Sequence, residues 1–174
     1  MKRVGLVVAY DGTNYSGWQI QPNGITIEEI LNRQISKLTG EDIRIIGASR
    51  TDSGVHALGN VAVFDTESRI PGDRFAYALN QKMPEDIVIV RSDEVQIDWH
   101  PRYQNEISKT YEYHIYNAKV RNPLKNRYST FVSFDLDVEK MRQGAKYILG
   151  EHDFASFCNV RTNAKDTVRT VHEI

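Results

Sequence analysis

The sequence predicts an α+β fold in which two helices cover an antiparallel sheet. Short β-branched and apolar runs, bounded by turn residues, alternate with two helical patterns in the order β-α-β-β-α-β. Each helical pattern places its apolar residues on one face. This order is typical of a split ferredoxin-like unit. The four strands are expected at residues 4–10, 43–47, 61–64 and 87–90.

The first helix has distinct start and stop signals. Thr26 and Glu29 are spaced as a capping box, and Gly40 is placed to end the helix. Pro71 stands near the expected start of the second helix. Apolar residues recur between Thr26 and Gly40 at helical spacing and predict a buried face. They are Ile27, Ile30, Leu31, Ile35 and Leu38.

The strand and helix pattern then begins again. An alternating run at 110–116 predicts a strand, Asp137 is placed to cap a helix, and a loop from residue 152 leads to a strand at 168–174. If this half repeats the first one, a strand, a helix and another strand are missing. We therefore predict two domains, an N-terminal one carrying the catalytic loop and an incomplete second one. Their expected bounds are residues 1–98 and 99–174.

The composition is that of a globular protein in a reducing compartment. Hydrophobic residues make up 40% and charged residues 26%, and no apolar run has the length of a membrane span or a signal peptide. Cys158 is the single cysteine, so no internal disulfide forms. We expect a cytoplasmic protein without a membrane partner. The net charge of −1 means that any nucleic-acid binding requires positive charge to be segregated onto one face.

The stretch GASRTDSGVHA, residues 47–57, concentrates the reactive side chains of the first half. It places Arg50, Asp52 and His56 among small residues. If the backbone is extended here, side chains two residues apart leave the same face, and the guanidinium would favour an ionised carboxylate on Asp52. An ionised aspartate can act as a nucleophile. Asp-Ser-Gly is also common in turns, so a purely structural turn stays open.

This stretch resembles a signature of the TruA family of tRNA pseudouridine synthases, Gly-Ala-Gly-Arg-Thr-Asp-Ala-Gly-Val-His-Ala. It departs from that signature at Ser49 and Ser53. A second phrase, YDGTNYSGWQ at residues 10–19, is similar to the N-terminal pattern of the same family, and the likeness continues through residues 150–157 to Arg169. The resemblance implies a pseudouridine-synthase-like fold of two ferredoxin-like halves.

The resemblance also implies the site residues. Asp52 matches the family's nucleophilic aspartate, and Arg50 and His56 would contact the substrate. Tyr111 matches the first tyrosine of a Tyr-x-Tyr phrase in the family, where it lies against the target base. Tyrosines that alternate along a strand more commonly pack a sheet, so this alternative for Tyr111 stays open.

Basic residues gather in two loops of the second half. Such charge needs no explanation beyond solvation. The second loop, however, ends in TVRTV at residues 167–171, close to a Thr-x-Arg-x-Ile/Val phrase of the family. We interpret both loops as contacts to RNA phosphates. The residues concerned are Lys119, Arg121, Lys125, Arg127, Arg161, Lys165 and Arg169.

The implied activity is isomerisation of uridine to pseudouridine in the anticodon stem-loop of tRNA, by a homodimer. The sequence contains no Walker loop, no dinucleotide glycine pattern and no spacing typical of metal ligands, so we expect neither a cofactor nor a metal. Two other functions stay open. One is RNA binding without catalysis, and the other is hydrolysis of nucleosides or sugars by Asp52 with Asp11 as second acid.

One family phrase is absent. The family carries a basic residue in a Val-Arg-Asn-x-x-Gly phrase near its C-terminus, where it pairs with the catalytic aspartate, and this sequence has no such phrase. We therefore expect a truncated synthase whose activity is open, with Arg50 as the nearest basic partner of Asp52.

Overall fold

The computed structural model describes residues 1–103, 108–158 and 166–174. The chain divides into two compact units, residues 1–110 and residues 111–174. The predicted domain boundary between residues 98 and 99 stays a prediction.

The first unit has the predicted β-α-β-β-α-β order. Its sheet has the strand order β2-β3-β1-β4, and each neighbouring pair is antiparallel. The α+β class with an antiparallel sheet is therefore confirmed. The elements are β1 (Lys2–Tyr10), α1 (Ile27–Thr39), β2 (Ile46–Gly47), β3 (Ala57–Thr66), α2 (Phe75–Asn80) and β4 (Ile87–Val95).

The core of this unit is formed by one face of the sheet and the inner faces of both helices. Val4, Leu6 and Val8 of β1 are buried at every second position, as expected for one face of a strand. Phe64 of β3 meets Phe75 of α2 edge to face, with ring centroids 5.2 Å apart. The predicted face of α1 is confirmed: Ile27, Ile30, Leu31 and Ile35 are buried, and Leu38 packs against them.

Both predicted ends of α1 are confirmed. Thr26 Oγ1 accepts a hydrogen bond from the backbone N of Glu29 at 3.3 Å, which satisfies a donor that the first turn leaves unpaired. Gly40 ends the helix in the left-handed conformation, with φ of 78°.

The strand predicted at residues 43–47 is shorter than expected. Only Ile46 and Gly47 belong to β2, although Ile43 and Ile45 are buried. The backbone amide of Ile43 donates to Ser36 Oγ, and that of Ile45 donates to an Asn32 side chain, both on α1. Because the helix satisfies these amides, the segment is buried without joining the sheet.

The described residues of the second unit form two pairs of strands and one α-helix. The pair β5 (Ile115–Asn117) and β6 (Thr130–Val132) is parallel, and the pair β7 (Gly150–Asp153) and β8 (Val168–Val171) is antiparallel. The helix α3 (Val138–Ala145) begins as predicted, because an Asp137 carboxylate oxygen accepts from the backbone N of Lys140 at 3.0 Å. The described residues do not complete a second β-α-β-β-α-β unit.

Two predictions for this unit were wrong, and one strand was missed. The strand expected at residues 110–116 begins only at Ile115, β7 occupies the start of the loop expected from residue 152, and β6 was not predicted. None of the described residues of the unit is buried. The alternating pattern therefore has no buried face to pack against, and Tyr111 and Tyr113 are 82% and 77% exposed.

Within the described ranges, no helix has the length and apolar character needed to cross a membrane.

Two loops of the first unit pack directly on each other through glycines. The N-terminal loop, residues 11–25, follows β1, and the central loop, residues 48–56, joins β2 to β3. A Cβ on Gly17 would lie 2.5 Å from the carbonyl oxygen of Thr51, and one on Gly12 would lie 2.0 Å from that of Val55. Since a side chain at either position would overlap the central loop, glycine is what allows the two backbones to approach this closely.

We predict that Gly17→Ala destabilises the protein more than Gly40→Ala. Both glycines have a positive φ, of 85° and 78°, so both variants bear a backbone cost of about 1–2 kcal/mol. A Cβ at Gly40 meets nothing within 4 Å, whereas one at Gly17 displaces the central loop. The free energy of unfolding in urea should fall by about 1–3 kcal/mol more for Gly17→Ala. Equal losses would contradict the packing of the two loops.

We also predict that Asp65 contributes to stability at neutral pH and not in acid. The Arg3 guanidinium donates to both oxygens of Asp65, at 2.7 and 2.8 Å, and holds the pKa of that carboxyl below its usual range. A lowered pKa in the folded state means that the stabilisation is present above the unfolded pKa of about 3.9 and is lost as the pH falls through the folded pKa.

Asp65→Asn should therefore lower the free energy of unfolding at pH 7, by less than about 1 kcal/mol because the pair is partly exposed. The difference from wild type should shrink as the pH falls below about 4. Thermal unfolding at a series of pH values measures this. Asp42→Asn, at an exposed loop residue, is the matched control. An Asp65→Asn effect that does not change with pH would rule out the ion pair as its cause.

Candidate active site

Asp52 lies on the central loop, and the N-terminal loop fixes the backbone immediately before it. The backbone N of Trp18 donates to the carbonyl oxygen of Thr51 at 3.0 Å. The Thr51 hydroxyl lies 2.9 Å from the hydroxyl of Tyr10, which ends β1. Burial raises the pKa of Tyr10, so its hydroxyl keeps its proton near neutral pH. Thr51 is therefore held through both its backbone and its side chain.

The N-terminal loop also fixes the residues that follow Asp52. The carbonyl oxygen of Tyr15 accepts from the backbone N of Gly54 at 3.2 Å and from the hydroxyl of Ser53 at 3.3 Å. The backbone N of Val55 donates to the carbonyl oxygen of Asp52 at 3.1 Å and closes a turn, with Gly54 at φ of 79°. The central loop is thus a turn, as the residue types allowed, and it presents Asp52 at its tip.

Asp86, just before β4, anchors the N-terminal loop. The hydroxyl of Tyr15 donates to the Asp86 carboxylate, and the side-chain amide of Asn14 donates to its second oxygen at 3.1 Å. Burial and the neighbouring Asp86 carboxylate raise the pKa of Tyr15. Because Tyr15 binds Asp86 through its hydroxyl and the central loop through its carbonyl, it connects β4 to the residues beside Asp52.

The side chain of Asp52 itself is exposed. Among the described residues, none forms a hydrogen bond or an ion pair with its carboxylate. The expected contact with Arg50 is not formed. The prediction assumed an extended backbone, whereas the loop turns at Asp52, and Arg50 lines a groove with Trp18 and Arg102. The carboxylate is therefore open to a ligand.

His56 connects the central loop to the start of the N-terminal loop. Its Nδ1 lies 3.0 Å from an Asp11 carboxylate oxygen and 3.2 Å from the backbone N of Gly12. A single Nδ1 cannot donate to Asp11 and accept from Gly12 at the same time, so one contact needs a proton on Nδ1 and the other needs Nδ1 without one. The same Asp11 oxygen accepts from the backbone N of Thr13 at 3.0 Å. Asp11 thus caps a turn, which does not favour a role as second acid.

Tyr111, the predicted base-contacting residue, belongs to the second unit. It precedes β5 and its ring is exposed. The turn from Asp52 to Val55 belongs to the first unit, and the exposed ring of Tyr111 belongs to the second.

The predicted phosphate contacts also lie in the second unit, and those that the structure describes already have interaction partners. Lys119 Nζ pairs with Asp135 at 2.8 Å, whereas Arg121 and Lys125 lie over the rings of Phe131 and Tyr116, at 4.9 and 5.1 Å from the centroids. All three remain exposed and could still bind phosphate. Of the remaining four, Arg127 and Arg169 are exposed, and Arg161 and Lys165 lie outside the described residues.

The sequence reasoning missed a group of residues in the segment after β4. Arg102 Nε donates to the carbonyl oxygen of Gly47 at 3.0 Å, at the start of the central loop, and the rings of His100 and Tyr103 lie 4.5 Å apart. Together with Arg50 they line one groove. The mixture of aromatic and basic residues in WHPRY, residues 99–103, is the available signal, and it stands directly after the predicted domain boundary.

In the part of the chain that the structure describes, no three His, Cys, Asp or Glu side chains are grouped so that they could hold a metal ion.

Comparison with known proteins places the chain in a family. Residues 6–104 and 145–174 match the model of a tRNA pseudouridine synthase family. Over its whole length the chain is 50% identical to tRNA pseudouridine synthase A of Acetivibrio thermocellus and 44% identical to that of Thermoanaerobacter pseudethanolicus. It is 47% identical to tRNA pseudouridine synthase A 2 of Clostridium perfringens. The alignments cover 100% of this chain and 71% of each relative.

The matched residues include both loops that meet around Asp52. Because the family match spans most of the chain and the relatives are at least 44% identical over it, the chain belongs to the tRNA pseudouridine synthase family, which is a family of isomerases.

Proposed function

We propose that this protein converts uridine to pseudouridine in the anticodon stem-loop of tRNA, with Asp52 as the nucleophile. The observation that carries the proposal is an exposed carboxylate on a turn whose backbone is fixed on both sides. Family membership and the names of the relatives support tRNA as the substrate.

The reaction needs a nucleophile and accurate placement of the substrate, and it consumes no other reagent. The C1′–N1 bond of uridine breaks and a C1′–C5 bond forms, while C5 loses a proton and N1 gains one. Substrate and product therefore contain the same atoms. For this to happen the target base must leave the stack, and the detached uracil must turn while it stays bound.

The exposed Asp52 side chain suits this chemistry. A carboxylate at the tip of a turn can reach into a flipped nucleotide, and an ionised carboxylate can attack carbon. The hydrogen bonds formed by Thr51, Ser53 and Gly54 limit movement of the turn. Little conformational freedom is therefore lost when the substrate binds. The N-terminal loop thus acts as the support that orients the nucleophile.

The other predicted site residues are assigned supporting roles in this proposal. Arg50, exposed and two residues before Asp52, contacts the RNA beside the target. His56 contacts Asp11 and so holds the N-terminal loop against the central loop, on the side where the substrate binds. Tyr111 stacks its exposed ring on the target base, which holds any base by its face.

The basic residues of the second unit are proposed to contact the tRNA backbone, and their exposed positions are compatible with this. The resemblance to the family further supports a cytoplasmic enzyme that acts as a homodimer.

We predict that Asp52→Asn abolishes catalysis and leaves stability unchanged. Release of tritium from tRNA labelled at uridine C5 should fall by at least about a thousandfold, as expected for the loss of a nucleophile. Because the Asp52 side chain makes no hydrogen bond among the described residues, the melting temperature should stay at the wild-type value. Asp42→Asn removes a different exposed loop carboxylate and should leave tritium release unchanged.

The outcomes separate the alternatives. Tritium release that survives Asp52→Asn would remove Asp52 from the mechanism. Binding of tRNA by the wild-type protein without any tritium release would favour an RNA-binding module. Release of free uracil would favour a hydrolase.

A further inference from the structure

We infer that the groove beside the central loop binds a nucleotide that flanks the target uridine, through its phosphate and its base. The inference rests on the proposed function only in taking RNA as the ligand. It assigns roles to Arg102, His100 and Tyr103, which lie in the segment after β4.

The groove is small and open. Its volume is about 210 Å³, and its walls come from the N-terminal loop, the start of α1, β2, the central loop and the segment after β4. Pockets that enclose a free small molecule are commonly about 300–1,000 Å³. This volume fits part of one residue of a polymer that continues beyond the groove. The lining residues that carry charge or an aromatic ring are Trp18, Glu28, Arg50, His100, Arg102 and Tyr103.

Two arginines supply the anion-binding capacity. Arg102 uses Nε to donate to the Gly47 carbonyl, which orients its guanidinium. Among the described residues, no carboxylate pairs with Arg102 or Arg50, although Glu28 lines the same groove. Glu28 accepts instead from the backbone N of Ile20, at 3.0 Å. The terminal guanidinium nitrogens are therefore available, and a planar fork of this kind matches a phosphate group.

The aromatic rings supply a platform for a base. The His100 and Tyr103 rings lie 4.5 Å apart with 31° between their planes, so the imidazole supports one side of the tyrosine. Tyr103 is 77% exposed. An exposed ring that is supported from behind loses little freedom when a base stacks on it. Such stacking tolerates any base, which suits a flanking nucleotide better than a selected one.

The position of the groove connects it to the reaction. Arg50 lines the groove and precedes Asp52 by two residues. Arg102 donates a hydrogen bond to the carbonyl oxygen of Gly47, directly before the central loop. A flanking nucleotide bound in the groove is covalently linked to the target uridine. The target uridine is therefore held near Asp52. Holding the neighbour in this way lowers the entropy cost of placing the target uridine.

The test is RNA binding by the full chain, measured as fluorescence anisotropy of a labelled stem-loop RNA with a single-stranded, uridine-containing loop. Arg102→Gln should weaken binding and reduce the slope of log K against log salt by about 0.7, the value for one phosphate contact to a single strand. Arg102→Lys should keep the wild-type slope. Tyr103→Leu should weaken binding by about fivefold to a hundredfold, and Tyr103→Phe should bind nearly as wild type.

Matched controls come from exposed residues near α2 that do not line the groove. Arg74→Gln and Tyr77→Leu make the same chemical changes and should leave affinity and salt slope unchanged. Melting temperatures show whether each variant is folded. The Arg102→Lys and Tyr103→Phe variants keep the test valid where a larger change unfolds the protein.

Wild-type affinity and salt slope in both Arg102→Gln and Tyr103→Leu would overturn the inference, even if the protein releases tritium from tRNA. Failure of the wild-type protein to bind the stem-loop RNA would also overturn it. Displacement of the RNA by equimolar inorganic phosphate would assign the groove to a free anion and likewise contradict it. Weakened binding in these variants, with no tritium release by the wild type, would support the inference while the proposed catalysis fails.

Discussion

The close approach of the N-terminal loop to the central loop is the constraint on which the candidate site depends. At Gly12 and Gly17 a side chain would overlap the carbonyl oxygens of Val55 and Thr51. Because glycine has no side chain, the backbones of the two loops come close enough to form hydrogen bonds on both sides of Asp52. Proteins commonly place catalytic residues on loops, which are mobile unless a rigid element supports them. Here the support is a second loop, which is itself attached to the sheet.

That attachment passes through side chains as well as backbone. Tyr15 reaches Asp86 with its hydroxyl and the residues after Asp52 with its carbonyl, and Tyr10 joins the end of β1 to Thr51. Both hydroxyls are partly or fully buried, where an unpaired polar group would be costly. Each hydroxyl therefore needs a hydrogen-bond partner, and these hydrogen bonds tie the position of the turn to the positions of β1 and β4.

The two units differ in how far burial determines their structure. In residues 1–110 the periodic patterns predicted the elements well, because strands and helices there bury one face against a shared core. In the described part of residues 111–174 no residue is buried, and the alternation of tyrosines around Tyr111 did not produce a strand. In this unit the Asp137 cap still predicted where α3 begins, whereas the alternating pattern around Tyr111 had no core for its apolar face to enter.

The sequence by itself determined the α+β class, the element order of the first unit, the ends of α1 and the identity of Asp52 as the residue to test. These follow from local spacing, from capping chemistry and from two specific motifs. Only the tertiary structure decided that Arg50 turns away from Asp52 toward a groove, and that Arg102 lies at the start of the central loop. Such contacts join residues far apart in the chain, and their geometry depends on how two loops pack, which no local pattern encodes.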